Sequence, residues 1–91
     1  MMEKTVFRFA EEKDTALILR FIRELAAYEK MENEVVATEK LLREWIFEKK
    51  KAEVIFVLDG GREVGFALFF HNFSTFLGRA GIYLEDLYVK P

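Results

Sequence analysis

The sequence predicts an α+β domain whose elements run β-α-α-β-β-β, with a mostly antiparallel sheet packed against helices. Three observations carry that expectation. Two stretches early in the chain place apolar residues at three- and four-residue steps, the spacing of one buried helical face. The second half instead holds short apolar runs rich in β-branched and aromatic residues. Two of these runs are joined by Asp59-Gly60-Gly61-Arg62, a strong signal for a tight hairpin turn. Consecutive helices followed by a meander give the α+β class. At 91 residues, 52% of them apolar and including ten Phe, the chain is read as one unit over 1–91 with enough material for a packed core.

Thr5–Phe9 reads as the first strand from its β-rich composition. Asp14 stands where a helix cap belongs, its carboxylate able to accept from the free amides of a first turn. Leu17, Ile18, Phe21, Ile22 and Leu25 then form one apolar stripe, so the first helix is expected to end near Tyr28. An acidic connector follows, with Glu29, Glu32 and Glu34 flanking Met31, and Val35 and Val36 are expected to anchor it. Thr38 reads as the cap of a second helix with Leu41, Leu42, Trp45 and Ile46 on its inner face, finishing in the charged run 48–51. Lys49, Lys50 and Lys51 there complement the negative end of the helix dipole. Residues 53–58 and 63–70 are predicted to form an antiparallel hairpin, 71–81 a mixed connection, and 82–89 the last strand.

Composition removes several function classes. With no Cys and one His, neither a disulfide framework nor a multi-ligand zinc centre is expected, and no metal is assigned. The 14 basic and 16 acidic residues supply no basic face for nucleic acid. The apolar runs are far shorter than a membrane span, and no signal peptide is visible. A cytoplasmic protein with no membrane partner is the expectation. Gly60 and Gly61 precede no helix, so they do not form a phosphate-binding loop.

Two segments sharpen the reading. LRFIRELAAYEKMENEVVATEKLL (19–42) and VGFALFFHNFSTFLGRAGIYLEDLYV (64–89) resemble, at compatible spacing, the first two helices and the third and fourth strands of the GNAT N-acetyltransferases, in the diamine/polyamine and thialysine branch. YLEDLYV is the more specific piece. The resemblance implies the amino-terminal half of the GNAT fold. It also implies transfer of an acetyl group from acetyl-CoA to a primary amine of a diamine, polyamine or lysine-like substrate.

On the residues alone, Glu85 and Asp86 are adjacent carboxylates inside an otherwise apolar strand. Alternation sends them to opposite faces unless a bulge intervenes. Charge is rarely buried there without a partner, so they either face a cleft or pair with nearby Arg or Lys. The resemblance implies Glu85 as general base, taking a proton from the substrate ammonium so that the amine can attack, and Asp86 as a holder of the substrate's positive charge. It also implies Glu29 in binding the cationic substrate, against the alternative of a solvated acidic loop. Phe76 falls where polyamine enzymes carry an aromatic at the channel mouth, able to meet an ammonium face-on; otherwise it is a loop aromatic folded over the core. Ser74 replaces an acidic residue of those enzymes, which widens the substrate choice toward short amino acids or simple diamines. His71 is read as a hydrogen-bonded loop histidine, and Arg8 as a structural ion-pair partner.

The cofactor's pantetheine arm is expected along the backbone of Leu87, Tyr88 and Val89. In the family a Q/R-x-x-G-x-G/A loop then grips the pyrophosphate through amides opening a helix. The sequence ends at Tyr88-Val89-Lys90-Pro91 without that loop and without the family's later Tyr acid. The 91-residue chain is therefore expected to be a fragment or truncated product, inactive alone, whose unpaired last strand and uncovered sheet face lead to a homodimer. The competing expectation is a non-catalytic, dimerising binding module built on the same half-fold.

Overall fold

A computed structural model describes residues 5–91. Its elements are β1 (Thr5–Phe9), α1 (Thr15–Tyr28), α2 (Glu39–Leu42, continuing as a π-helical segment Arg43–Glu48), β2 (Glu53–Asp59), β3 (Arg62–Ser74) and β4 (Arg79–Val89). Short 3-10 turns at Glu12–Asp14 and Glu32–Glu34 precede the two helices. The strands form one sheet in the order β1-β2-β3-β4 with every neighbour antiparallel. The α+β class and the element order are as expected. No helix among the described residues is long and apolar enough to cross a membrane.

Both helices lie on one face of the sheet because that is where their stripes find apolar partners. Ile18 and Phe21 of α1 and Ile46 of α2 pack on Val54, Phe56 and Phe66, all buried. Phe21 sits between the two strand aromatics, its ring centroid 6.0 Å from Phe56 and 5.8 Å from Phe66. The opposite face carries Phe7, Phe9, Leu84, Leu87 and Val89, all exposed.

The hairpin at Asp59 is the two-residue turn its glycines demand. Gly60 and Gly61 have φ of 62° and 84°, the left-handed pair that matches strand twist in such loops. The stretch 71–81, expected as a mixed connection, is instead mostly sheet. His71 pairs with Ile82, Asn72 with Gly81 and Phe73 with Ala80, leaving a tight turn after Ser74. Ser74 explains the economy, since its Oγ accepts from the Leu77 amide at 3.2 Å and its carbonyl from the Gly78 amide at 2.8 Å. Gly78 reverses the chain at φ 70°.

Two caps behave differently. Thr38 accepts from the Leu41 amide at 3.1 Å, as a helix cap should. Asp14 precedes α1 but caps none of its amides with its side chain. Its carboxylate is already engaged by the Arg8 guanidinium, at 2.8 and 3.0 Å, and by the Glu11 amide at 2.8 Å. Arg8 reaches Glu63 as well, at 3.1 Å, and lies 4.9 Å from the centroid of the Phe56 ring. Charged bidentate bonds outcompete a neutral amide, so the ion pair expected of Arg8 displaces the cap expected of Asp14.

The second helix departs from expectation in its winding. The Lys49 amide bonds to the Glu44 carbonyl, five residues back, at 2.8 Å. With more residues per turn, a residue four places on stays over its predecessor while one three places on swings away. Leu42 and Ile46 therefore face the core, whereas Trp45 is exposed, with the Lys49 ammonium 4.1 Å from its ring centroid. Leu41 is likewise exposed, and Val36 is not a buried anchor.

Candidate active site

The β4 strand does not keep strict alternation. Leu68 pairs with Asp86 but Phe69 with Leu84, so Glu85 is an extra residue with no partner on β3. This is a β-bulge, and it sets two successive side chains to the same side of a strand. Glu85 and Asp86 consequently line one open cleft of ≈ 430 Å³ on the helix side of the sheet. Glu85 is exposed and Asp86 half-buried. The apolar wall comes from Ile22, Leu25 and Ala26 of α1, and the rim from Glu29, Met31 and Glu34.

The charged groups of the cleft are all acidic. Glu29, Glu34, Glu85 and Asp86 line it, with no Lys, Arg or His. None of the ion pairs among the described residues involves any of these four carboxylates. The alternative in which Glu85 and Asp86 are neutralised by Arg or Lys therefore has no counterpart among the described residues. Asp86 is held above the ordinary carboxyl range, first by burial, then by the negative charges of Glu85 and Glu29. An arrangement of this kind attracts an alkylammonium ion and can accept its proton.

A second cleft of ≈ 350 Å³ adjoins the first, sharing Leu25 and Glu29 with it. Leu87, Tyr88, Val89, Tyr28 and Pro91 also line it. Here β4 is the last strand in the sheet order, so its outward backbone groups have no strand partner among the described residues. An edge strand offers amides and carbonyls to an extended ligand, and Leu87, Tyr88 and Val89 carry those groups here. The Tyr88 hydroxyl donates to Glu24 at 3.1 Å and its ring lies 6.1 Å from Phe21. Burial, then the Glu24 bond, raises the Tyr88 phenol above its ordinary value. This contact ties the edge strand to α1.

Of the residues singled out from sequence, Glu29, Glu85 and Asp86 thus meet in one cleft, with Leu87, Tyr88 and Val89 beside them. Phe76 does not join them: it lies in the turn beyond Ser74, fully exposed, and lines neither cleft. It is not folded over the core either. His71 bonds to Glu53 at 3.1 Å, outside both clefts. Glu24 was missed by sequence reasoning. Its signal is its place three residues after Phe21, on a shared helix face.

Comparison with known proteins gives a consistent picture. No protein-family model matches the chain. The chain is 40% identical to thialysine N-epsilon-acetyltransferase of Bos taurus and 39% identical to that of Sus scrofa, in each case over 99% of the chain and 58% of the relative. The chain thus spans somewhat over half the length of the curated relatives it matches. Among solved structures, a predicted acetyltransferase from Clostridium acetobutylicum, crystallised with acetyl-CoA, superposes with a TM-score of 0.75. It is 15% identical, over 97% of this chain and 61% of that one, which shows a shared fold. By sequence the chain is similar over 99% of its length to the thialysine N-epsilon-acetyltransferases, and its fold is that of the GNAT acetyltransferases.

Proposed function

We propose that this chain carries the substrate side of an acetyl-CoA-dependent N-acetyltransferase acting on a primary amine of a diamine, polyamine or lysine-like molecule. The observation that supports it most is the β4 bulge, which turns Glu85 and Asp86 together into an unneutralised acidic cleft beside the edge segment Leu87, Tyr88 and Val89. The relatives named for thialysine acetylation favour a lysine-like amine, and a lining whose charged groups are all acidic equally suits a diamine. Acetyl-CoA, when bound, supplies the acetyl group as an activated thioester. The chain's own residues gather the cation, remove its proton and align the edge strand for the cofactor arm. The 91-residue chain by itself is expected to be inactive.

The test is thiol release from acetyl-CoA by a chimera joining the chain to the portion of the Bos taurus relative that it does not match. Thialysine, 1,4-diaminobutane and spermidine serve as amines. Release above background with at least one amine is expected, falling by about 100-fold or more when both Glu85→Gln and Asp86→Asn are introduced. A folded chimera that releases thiol with none of the three sinks the reading.

A second reading, a non-catalytic module that dimerises, rests on the exposed Phe7, Phe9, Leu84, Leu87 and Val89 and on the open β4 edge. Exposed apolar sheet surface next to an unpaired strand favours self-association. Sedimentation of the 91-residue chain is expected to show a homodimer or larger oligomer; a monomer resistant to concentration removes this support.

A further inference from the structure

We propose that Glu24 is a positioning residue: by accepting from the Tyr88 hydroxyl it fixes the rotation of the β4 edge, so that the outward backbone groups of Leu87 and Val89 are presented to the arm of acetyl-CoA. The inference rests on the acetyltransferase reading above and adds to it a residue that lines neither cleft.

Backbone bonding separates three successive residues of the edge. The Lys90 amide donates to the Val64 carbonyl of β3 at 2.8 Å, and the Tyr88 carbonyl oxygen lies against Gly65. Alternate residues of an antiparallel strand direct both backbone groups to the same side. Tyr88 and Lys90 therefore turn theirs toward β3. Leu87 and Val89 turn theirs outward, where β4 has no strand partner among the described residues. The side chains of Leu87 and Val89 are exposed, so the grip on this stretch falls to Tyr88 between them.

That grip is made on α1. The Tyr88 ring lies 6.1 Å from the fully buried Phe21 ring, and the Lys90 ammonium lies 5.5 Å from the centroid of the same ring. These contacts are only loosely directional. The bond from the Tyr88 hydroxyl to Glu24, at 3.1 Å, is directional and charge-assisted. It acts at the far end of the phenol ring, where the side chain has most leverage on the strand. Without it, the edge keeps its register on β3 but loses the tie that limits its twist. A strand already held in the bound arrangement binds its ligand more tightly than one that must be ordered on binding. The cost of losing Glu24 therefore falls on cofactor affinity and not on the chemical step.

Two measurements test the assignment. In the chimera with the Bos taurus relative, Tyr88→Phe and Glu24→Leu are each expected to weaken CoA binding about 10-fold by calorimetry. The acetyl-CoA KM should rise by the same factor, with kcat and the amine KM within about twofold of wild type. Glu24→Gln keeps a carbonyl acceptor and is expected to restore tight CoA binding. Combining Glu24→Leu with Tyr88→Phe should lose no more than either alone, because both remove one bond. In the 91-residue chain, the Lys90 amide is expected to exchange with solvent about 10-fold faster in Glu24→Leu and Tyr88→Phe. It should not do so in Glu24→Gln, and the β2 amides should be unchanged in all three. Unaltered CoA affinity in Tyr88→Phe, additive losses in the double variant, or unaltered Lys90 exchange overturns the proposal. A folded chimera that binds no CoA at all sinks the acetyltransferase reading itself, a result distinct from equal binding by wild type and variants.

Discussion

Gly65→Ala is expected to destabilise the protein by about 3 kcal/mol, near the upper end of overpacking costs, and to disturb both clefts at once. Gly65 pairs with Val89 across β3 and β4. A Cβ there would collide with the Tyr88 carbonyl oxygen and approach the Val89 Cα to 3.0 Å. Both obstacles are backbone, so relief requires the strands to separate rather than a side chain to rotate. The displaced stretch contains Leu87, Tyr88 and Val89, and the Tyr88–Glu24 bond would be strained with it. Gly81→Ala is the control. Its Cβ would meet the Asn72 side-chain oxygen at 2.9 Å, a group that can turn aside. Urea unfolding midpoints decide the matter, and equal losses for the two variants would remove the close-approach explanation.

Arg8→Ala is expected to cost about 2 kcal/mol at neutral pH, because it leaves two partly buried carboxylates without their cation. The side chains of Asp14 and Glu63 are 10% and 28% exposed. Hydrogen bonding to Arg8 is the first cause lowering each carboxyl from its ordinary value, 3.8 for Asp14 and 4.5 for Glu63. A carboxyl more acidic when folded stabilises the protein above its unfolded value, and that contribution vanishes as pH falls through the folded one. Arg8 itself is pushed further upward by the same partners and stays charged throughout. The gap between wild type and Arg8→Ala should therefore shrink from pH of about 4 downward. It should not close completely, since the guanidinium also packs on the Phe56 ring. Urea midpoints near neutral pH and near pH of about 3 measure it; a gap unchanged between them would show that charge pairing is not the source.

The fold was legible where local chemistry and tertiary demand agree. The helical stripe of Leu17 to Leu25, the Thr38 cap and the paired glycines after Asp59 each specify their structure within a few residues. Legibility failed where several local solutions compete. Asp14 has the chemistry of a helix cap, but Arg8, six residues earlier, claims its carboxylate once β1 and α1 are docked. The apolar pattern of Leu41 to Ile46 suits an α-helix, and nothing in it announces the π winding that turns Trp45 outward. Residues 71–81 have turn-like composition, yet cross-strand pairing extends through them to Ser74 and Arg79.

The site divides along the same line. YLEDLYV, by itself, determined that two carboxylates stand together in an apolar strand, where charge needs a cleft or a partner; amine chemistry was what the family resemblance implied. Whether those carboxylates share a face was undecided until β3 and β4 were in register. The extra residue at Glu85 is a property of the pairing between strands, not of either strand alone. Only the folded chain brings Glu29 across from α1, leaves the acidic cleft without a base to neutralise it, and places Phe76 away from it. Chain order fixes which groups exist, whereas long-range packing fixes which of them feel one another's charge.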